Sequence, residues 1–317
     1  MKENVKILDE KLRNASSVAI MAHKNPDGDA LCCVLALSRL IEKNYGIKCV
    51  CIYDGNAPDY LDNVPLRRQM HSWNRLEVSA PFDVAILVDY GAEHQIGGPL
   101  DIVKNAKFVA EIDHHKNENK IAELCIDDDE ADAAAVVLYR LMKSAKWRDD
   151  LDVRDLLAVA ILTDTGNFKF AKQPETLSVM AELVGGGVSI RHLVEIMNNK
   201  PRKAVLVEAR AAGNAEFFYH NKLAVAVINR RDYRDMDGRG EMVLNLLGQI
   251  KGVEYVVLLK EQKETQIGIS IRSRGAAIDK IAASFGGGGH ELAAGAVVRG
   301  DTLENVRAKI IAAFKGM

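Results

Sequence analysis

The spacing of apolar residues in the N-terminal part of the chain predicts alternating strands and helices. The continuous run S-V-A-I-M at residues 17–21 predicts a buried strand. From residue 30 to residue 44, apolar residues recur at helical spacing, and K-C-V-C-I-Y at 48–53 predicts a second strand. Because strand, helix and strand follow one another, these segments form a βαβ unit, which implies a parallel sheet.

The same alternation continues as far as three consecutive glycines at 185–187. Further elements follow from the same criteria: strands at 84–88 and 107–112, and helices at about 132–146 and 152–162. We therefore predict an N-terminal domain with a parallel sheet at residues 1–190, followed by a linker helix region at 191–205.

The remaining residues, 206–317, predict a second and smaller α/β domain. Its predicted strands and helices alternate: strands at 215–219, 223–228, 253–260 and 266–272, and helices near 240–249, 278–285 and 303–314. The predicted fold class is thus α/β, with two domains and an active site expected in the cleft between them.

Length and composition agree with two globular domains. At 317 residues, with 48% hydrophobic and 27% charged residues, the chain has the composition of an average soluble protein. The formal net charge of -2 argues against binding of long nucleic acid along a broad basic face. Short or small anionic substrates are compatible with this charge.

Cysteine usage and the lack of long apolar runs bear on the compartment. The cysteines are odd in number and include no C-x-x-C pair, which disfavours a disulfide framework or a thiolate zinc site: Cys32, Cys33, Cys49, Cys51 and Cys125. The first 17 residues lack the apolar core of a signal peptide, and no run approaches the ~18 to 20 apolar residues of a membrane span. We expect a cytoplasmic protein with reduced thiols and no membrane partner.

A polar cluster follows the first predicted strand. In H-K-N-P-D-G-D at 23–29, one imidazole and two carboxylates share a loop that Pro26 stiffens and Gly28 allows to bend. Carboxylates at alternate positions of a turn can face two neighbouring cations. Taken alone, the D-x-D segment also fits a solvated turn or a helix N-terminus with favourable charge.

Other polar residues also lie at the ends of predicted elements. Asp113-His114-His115 follows a strand and offers three strong ligand or acid-base groups, or else a loop of hydrogen-bonded histidines. Asp89 ends the run A-I-L-V and Asp164 ends A-V-A-I-L-T, where a single aspartate is ordinarily a capping or turn residue. Because ligands gather outside the carboxyl ends of strands in open α/β sheets, we expect these clusters to converge.

Four carboxylates and two histidines suit two divalent ions that share a bridging aspartate. Such ions lie ~3.5 to 4 Å apart and clamp an in-line displacement at phosphorus. The mixed nitrogen and oxygen ligands favour manganese, with cobalt, zinc or iron as alternatives, over the oxygen shells that magnesium and calcium prefer. We predict two Mn2+ ions as the cofactor, with Mg2+ or Co2+ as substitutes.

The second domain contains a glycine-rich segment, F-G-G-G-G-H-E-L-A-A-G at 285–295. Four consecutive glycines let the backbone pass close to a ligand, and their N–H groups can hold a phosphate. Arg272 and Ser273 add to this interpretation, since arginine pairs bidentately with phosphate. A flexible turn is the alternative explanation.

Together and in this order, these motifs resemble the DHH phosphoesterase superfamily. The resemblance is to the subfamily with a C-terminal DHH-associated domain, which includes nanoRNases and 3'-phosphoadenosine 5'-phosphate (pAp) phosphatases. It covers nearly the whole chain, through the following motifs: H-K-N-P-D-G-D-A at 23–30, L-V-D at 87–89, D-H-H at 113–115, L-T-D-T-G-N-F at 162–168 and G-G-G-G-H at 286–290.

The resemblance implies a role for each matching position. Asp89 would bridge the two metals, Asp113 would orient the histidines, and His115 would bind phosphate or donate a proton. The implied metal ligands are His23, Asp27, Asp29, Asp89, His114 and Asp164. The implied substrate contacts are Arg272, Ser273, Gly288, Gly289 and His290.

The chain departs from the family pattern at two places. Cys32 and Cys33 stand where members often carry small residues such as Gly-Ser, and Glu93 and His94 follow Asp89 where an ordinary polar turn would suffice. His94 is either an extra ligand, a substrate contact or a surface histidine. These differences bear on substrate preference more than on the reaction.

The leading hypothesis is hydrolysis by two-metal-activated water of short oligoribonucleotides, linear dinucleotides or 3',5'-bisphosphonucleosides. Polyphosphate or pyrophosphate hydrolysis would use the same metal site, whereas a non-catalytic nucleotide or RNA binder would predict broken metal motifs. With 6% aromatic residues and a net charge of -2, a long strand is not an expected partner, in single- or double-stranded form. The sequence leaves open whether the chain forms a homodimer.

Overall fold

The computed structural model describes residues 1–58, 61–76, 81–116, 120–198, 200–236 and 240–317. The chain divides into two compact units, Met1–Asn199 and Lys200–Met317. Each unit has its own sheet and its own hydrophobic clusters.

The first unit is built on a six-stranded sheet in which all neighbouring strands are parallel. Its strands are β1 (Val18–Ala22), β2 (Val50–Tyr53), β3 (Met70–Ser72), β4 (Val84–Val88), β5 (Val109–Asp113) and β6 (Leu124–Asp127). Their order in the sheet is β3-β2-β1-β4-β5-β6, so the direction of strand addition reverses between β1 and β4. The predicted parallel sheet is confirmed.

Helices complete the first unit: α1 (Lys2–Asn14), α2 (Gly28–Tyr45), α3 (Leu100–Asn105), α4 (Ala134–Ala145), α5 (Leu151–Asp164), α6 (Pro174–Gly185) and α7 (Ile190–Asn198). Strands β1 and β4 are buried at every position, as expected for central parallel strands covered on both faces. Residues Val84, Ile86 and Val88 of β4 join one core cluster with helices α2, α4 and α5, whereas Ala85 and Leu87 join a cluster on the other face.

The second unit has a six-stranded mixed sheet in the order β11-β12-β10-β9-β8-β7. Among its neighbouring strands, β8 and β9 are parallel and the other pairs are antiparallel. The strands are β7 (Glu216–Phe218), β8 (Leu223–Ile228), β9 (Tyr255–Lys263), β10 (Gln266–Ser273), β11 (Gly288–His290) and β12 (Ala293–Arg299). The helices are α8 (Arg202–Gly213), α9 (Arg230–Tyr233), α10 (Glu241–Gly248), α11 (Asp279–Ser284) and α12 (Leu303–Ala313). The predicted second α/β unit is confirmed.

In the part of the chain that the structure covers, no single helix is long and apolar enough to cross a membrane. Helices α6 and α7 are long and apolar enough only when they are taken together, and they are bent by 106° relative to each other.

Candidate metal centre

The candidate ligands of the first unit lie at the carboxyl ends of strands, on both sides of the point where the strand order reverses. His23 and Asp27 follow β1, Asp89 follows β4, and His114 follows β5. Asp164 does not follow a strand and is instead the last residue of helix α5. In open α/β sheets this reversal opens a crevice for ligands, so the topology itself brings these residues to one place.

Distances confirm that the side chains converge. The Nε2 atom of His114 lies 3.4 Å from Oδ1 of Asp89 and 3.5 Å from Oδ2 of Asp164. The Nε2 atom of His23 lies 3.9 Å from Oδ1 of Asp27 and 4.0 Å from Oδ2 of Asp89. Asp89 therefore lies between the two histidines and faces one with each oxygen.

The described residues contain three groups whose potential ligand atoms all lie within 4.8 Å of one another. These groups are His23 with Asp27 and Asp89, Asp29 with His114 and Asp164, and Asp89 with His114 and His115. Asp89 and His114 each belong to two groups. All six expected metal ligands thus fall into these groups of neighbouring side chains.

Asp89 itself fits a bound cation. It is 2% exposed, and its Oδ1 atom is buried without a hydrogen-bond partner in the described structure. Burial raises the pKa of this carboxyl group, but His114 and His115 together lower the pKa by more than burial raises it. The net shift of the Asp89 pKa is therefore downward. Imidazole nitrogens lie 3.3 to 4.0 Å from the two Asp89 oxygens, which is longer than a strong hydrogen bond. A divalent ion would supply a closer partner for this buried, ionised carboxylate.

The histidine ligands respond to the same concentration of negative charge. Burial lowers the pKa of His23 and His114, but neighbouring carboxylates outweigh burial and raise these pKa values to about 9 and about 10. Burial first and the Asp89 charge second raise the pKa of Asp29 to about 7. Without a metal ion, the site therefore collects protons to balance its carboxylates.

Two of the carboxylates also have structural contacts. Asp27 is the N-cap of α2 and accepts a 3.1 Å hydrogen bond from the backbone N–H of Ala30. Asp29 is fully buried and accepts hydrogen bonds from the N–H groups of Ala134 and Ala135, at the start of α4. Asp27 therefore caps a helix N-terminus, as one interpretation of the D-x-D segment expected. Asp27 and Asp29 nevertheless also belong to the groups of possible ligand residues.

Gly28 has a different function from the flexibility expected of it. It is the first residue of α2, and its backbone does not adopt a left-handed conformation. A Cβ atom at this position would lie 2.3 Å from the Oγ1 atom of Thr163 in α5. The glycine therefore allows close approach of two helices that present Asp27, Asp29 and Asp164, and the expectation of a bend at Gly28 is corrected.

Asp113 organises the turn that carries the two histidines. Its Oδ1 atom accepts hydrogen bonds from the backbone N–H groups of His114 and His115 and lies 2.9 Å from Nδ1 of His115. Its Oδ2 atom accepts a 3.0 Å bond from the N–H of Gly91. The ring of His114 has another partner, since its Nδ1 lies 3.1 Å from the carbonyl oxygen of Ala131. Asp113 thus orients the imidazole of His115 but not that of His114.

His115 differs from the metal-ligand histidines in its exposure and its partners. Its side chain is 34% exposed, and its Nδ1 atom also lies 3.3 Å from Oδ1 of Asp89. Burial lowers the pKa of His115, while Asp113 and Asp89 raise it more strongly, to about 11. The imidazole is therefore protonated near neutral pH and exposed enough to meet a ligand.

Three contacts of this site were not predicted from the sequence. They are the carbonyl of Ala131, the amide of Gly91 and the thiol of Cys33, which lies 3.1 Å from Oδ1 of Asp29. Backbone groups leave no signal in a sequence, but Cys33 lies four residues after Asp29 on one helix face, which is a readable spacing. His94 is exposed and belongs to none of the ligand groups found among the described residues.

The glycine-rich segment of the second unit forms part of a hairpin and is not a free loop. Strand β11 contains Gly288 and Gly289 and pairs with β12, which the sequence analysis missed. Cβ atoms at Gly287 and Gly289 would lie 2.0 Å and 2.6 Å from backbone oxygens of β12, so these glycines permit close strand pairing. Around Gly288 there is open space, and no packing contact explains the glycine there.

The other expected substrate contacts have the following surroundings. One Nη atom of Arg272 lies 2.5 Å from Oε1 of Glu241, and the other donates to the carbonyl of Ile271. The hydroxyl of Ser273 accepts a hydrogen bond from the N–H of Gly275. The backbone of His290 ends β11, whereas its side chain lies outside what the structure describes. Arg272 therefore has an acidic partner that a bound anion would have to displace.

The fold and the site define an α/β protein with clustered carboxylates and histidines at the carboxyl ends of a parallel sheet. Residues 17–162 match the DHH family, N-terminal domain, and residues 220–316 match the DHHA1 domain. The chain belongs to the DHH family, in the subfamily that carries a C-terminal DHHA1 domain.

Named relatives share the whole two-part arrangement. The chain is 27% identical to a bifunctional oligoribonuclease and PAP phosphatase NrnA from Thermus thermophilus, over 99% of this chain and 94% of the relative. It is 24% identical to the Bacillus subtilis protein of the same name, over 89% of each. A crystal structure of an exopolyphosphatase-related protein from Bacteroides fragilis has a TM-score of 0.89 at 21% identity, covering 99% of this chain and 95% of that one. That structural likeness concerns the fold.

Proposed function

We propose that the chain is a metal-dependent phosphoesterase that hydrolyses short oligoribonucleotides, linear dinucleotides and 3',5'-bisphosphonucleosides such as pAp. The observation that carries this proposal is the convergence of six carboxylate and imidazole ligands around Asp89. The relatives named above as oligoribonucleases and PAP phosphatases align over nearly the whole chain and support this substrate class.

The proposed ligands for the two cations are His23, Asp27, Asp29, Asp89, His114 and Asp164. Bound there, two divalent ions supply positive charge to the phosphoryl group and promote ionisation of water. Manganese is the proposed ion, because two imidazoles among carboxylates suit it better than they suit magnesium. Asp89 is the proposed shared ligand, since its two oxygens face different histidines.

His115 is proposed to contact the substrate and not a metal ion. Its protonated imidazole can bind a phosphate oxygen or donate a proton to a leaving oxygen. Asp113 holds this ring in place through Nδ1. Replacement of Asp113 is therefore expected to act through His115.

Arg272, Ser273, Gly288, Gly289 and His290 are proposed as contacts to the substrate. The open space at Gly288 supports close approach of a phosphate to the backbone. Arg272 would exchange its ion pair with Glu241 for a bidentate pair with phosphate. With a net charge of -2, the chain suits a short anionic substrate better than a long one.

The compartment proposed for this activity is the cytoplasm. All five cysteines are free: Cys32, Cys33, Cys49, Cys51 and Cys125. Unpaired thiols in this number are typical of proteins kept in a reducing environment.

The function is tested by incubating the chain with a labelled RNA dinucleotide and, separately, with pAp. Each reaction is run with Mn2+, with Mg2+ and with a chelator. We expect release of mononucleotide and of inorganic phosphate that the chelator abolishes. Inactivity on both substrates, together with cleavage of polyphosphate or pyrophosphate, would replace the proposed substrate class by the polyphosphate alternative. Inactivity on all of them would contradict a catalytic role.

A further inference from the structure

The side chains of β4 alternate between the two faces of the sheet up to Val88, and the alternation breaks at the next residue. Ala85 and Leu87 face one hydrophobic cluster, so regular continuation would send Tyr90 to the opposite face. Tyr90 instead packs in the same cluster as Leu87. The break coincides with the left-handed backbone of Asp89, at φ 52°.

Tyr90 is held on that face by a buried polar network. It is fully buried, and its hydroxyl donates a 2.7 Å hydrogen bond to Oε2 of Glu111. Glu111 is also fully buried, and its other oxygen accepts a 2.6 Å bond from Nζ of Lys120. Lys120 further pairs with Asp127 at 2.6 Å. Both oxygens of the buried Glu111 carboxylate thus accept a hydrogen bond, and the thiol of Cys125 also contacts this residue.

We propose that Tyr90 is a positioning residue that aims Asp89 at the cations, by locking the turn after β4 to the Glu111 and Lys120 pair. This inference rests on the metal site of the proposed function and adds a residue to its support. The left-handed conformation is uncommon for a residue with a side chain, so it persists only where neighbouring contacts impose it. Here that contact is made by the next residue, Tyr90, whose buried hydroxyl is bound to Glu111.

The network fits this role because it is costly to break. A buried Glu111 that lost the tyrosine hydroxyl would lose the donor to its Oε2 atom, so the native turn is favoured over alternatives that withdraw Tyr90. The same strand pair carries the second support of the turn, the hydrogen bond from the N–H of Asp89 to the carbonyl of Ile112.

The test compares two tyrosines that each donate a hydrogen bond to a glutamate paired with a lysine, one trio buried and the other partly exposed. Tyr139 in α4 donates a 2.5 Å bond to Glu182, which also pairs with Lys143, so it repeats the Tyr, Glu and Lys combination away from the ligands. Tyr90→Phe and Tyr139→Phe each remove one hydroxyl from such a trio. Mn2+ binding to each full-length variant is measured by calorimetry, and thermal unfolding is measured without metal.

We expect Tyr90→Phe to weaken Mn2+ binding by about tenfold or more, as loss of a group supporting metal ligands typically does. Tyr139→Phe should bind Mn2+ like the parent chain. Glu111→Gln, which keeps the side-chain size, should also weaken binding, and its effect should not add to that of Tyr90→Phe because both break one contact. Glu111→Gln also carries the test if Tyr90→Phe fails to fold.

Three results would overturn the inference. Unchanged Mn2+ affinity in Tyr90→Phe would show that the hydroxyl does not position Asp89. Equal weakening by Tyr139→Phe would mark a general loss of stability. If the parent chain bound no Mn2+, the metal site of the proposed function would fail as well, which separates that failure from the first two.

Discussion

The candidate ligands differ in how much of their surroundings is structural. Asp27 and Asp29 each accept backbone hydrogen bonds at helix N-termini, so they stabilise the fold whether or not a cation is present. Asp89 has an oxygen with no such partner and a left-handed backbone, which costs on the order of 1 kcal/mol. Backbone strain and a buried charge whose imidazole neighbours lie 3.3 Å or farther away indicate that Asp89 is placed for binding more than for stability.

Asp89→Asn tests this distinction, because asparagine tolerates the left-handed conformation and removes only the charge. We expect kcat to fall by more than about 100-fold, beyond the 10- to 100-fold typical of groups that only support a ligand. His290→Ala, in contrast, should mainly raise KM, since its proposed contact is with substrate. Steady-state kinetics at saturating Mn2+ separates the two effects.

The exposed Asp101 of α3 provides the matched control, and Asp101→Asn should leave both constants unchanged. Thermal unfolding of the metal-free Asp89→Asn chain measures the stability that the Asp89 charge contributes through His114 and His115. A larger loss of kcat in His290→Ala than in Asp89→Asn would contradict the proposed division of roles.

At the scale of residues, the sequence indicated the side-chain ligands but not the groups that orient them. His23 and Asp89 could be predicted because each follows a strongly apolar strand, where an ionisable residue is conspicuous, and His114 because it stands in the D-H-H cluster after β5. The carbonyl of Ala131 and the amide of Gly91 belong to the backbone, and every residue type offers them. Their use depends on the folded path of the chain, which no local pattern shows.

At the scale of elements, central strands were predicted better than edge strands. The predicted strands at 84–88 and 223–228 have the observed bounds, because each is a continuous apolar run that is almost completely buried. The missed strands β3 and β6 lie at the two edges of the first sheet, and they contain three and four residues. Short edge strands bury little apolar surface, so their sequences show little periodicity.

The hairpin of β11 and β12 was missed for a different reason. Its pairing depends on glycine and alanine, which have low strand propensity and indicate a loop when they are considered locally. The small residues are needed because Gly287 and Gly289 pass within contact distance of the partner backbone. The close backbone approach of the two strands therefore overrides the local preference for a loop.

The contact between α2 and α5 yields a prediction at the same scale. In Gly28→Ala, the new Cβ atom would lie 2.3 to 2.7 Å from three side-chain atoms of Thr163, so one helix must shift. We expect the free energy of unfolding to fall by about 1 to 3 kcal/mol, the usual cost of overpacking. Because the two helices present ligands from both cation groups, Mn2+ affinity should fall as well.

Chemical denaturation of the metal-free chain and Mn2+ calorimetry measure the two effects of Gly28→Ala. The double variant Gly28→Ala with Thr163→Ala removes two of the clashing atoms and should recover part of both losses. Gly185→Ala serves as the control for a helical glycine, since no atom lies within 4 Å of its Cβ position and its backbone is not left-handed. Full stability in Gly28→Ala would show that the helices are not held at this separation.

At the scale of the whole molecule, the formal charge of -2 counts all histidines as neutral. The carboxylates of the metal centre change that count, because they raise the pKa of His23, His114 and His115 well above neutrality. The metal-free chain therefore carries more positive charge at pH 7 than its composition indicates. Cation binding and proton binding compete at this centre, so the two are thermodynamically linked.

This linkage predicts that Mn2+ binding releases protons. In the metal-free chain the pKa of His23 is about 9 and that of His114 about 10, so both are protonated at pH 7 and must lose their protons to bind a cation. Mn2+ affinity should rise with pH by roughly tenfold per unit for each proton released, and level off only above those pKa values. At limiting Mn2+, activity should fall as the pH is lowered.

Calorimetry in two buffers with different ionisation enthalpies counts the protons directly, and the Tyr139→Phe chain should release the same number. Affinity that stayed constant from pH 6 to pH 8, with no proton release, would contradict the assignment of His23 and His114 as ligands.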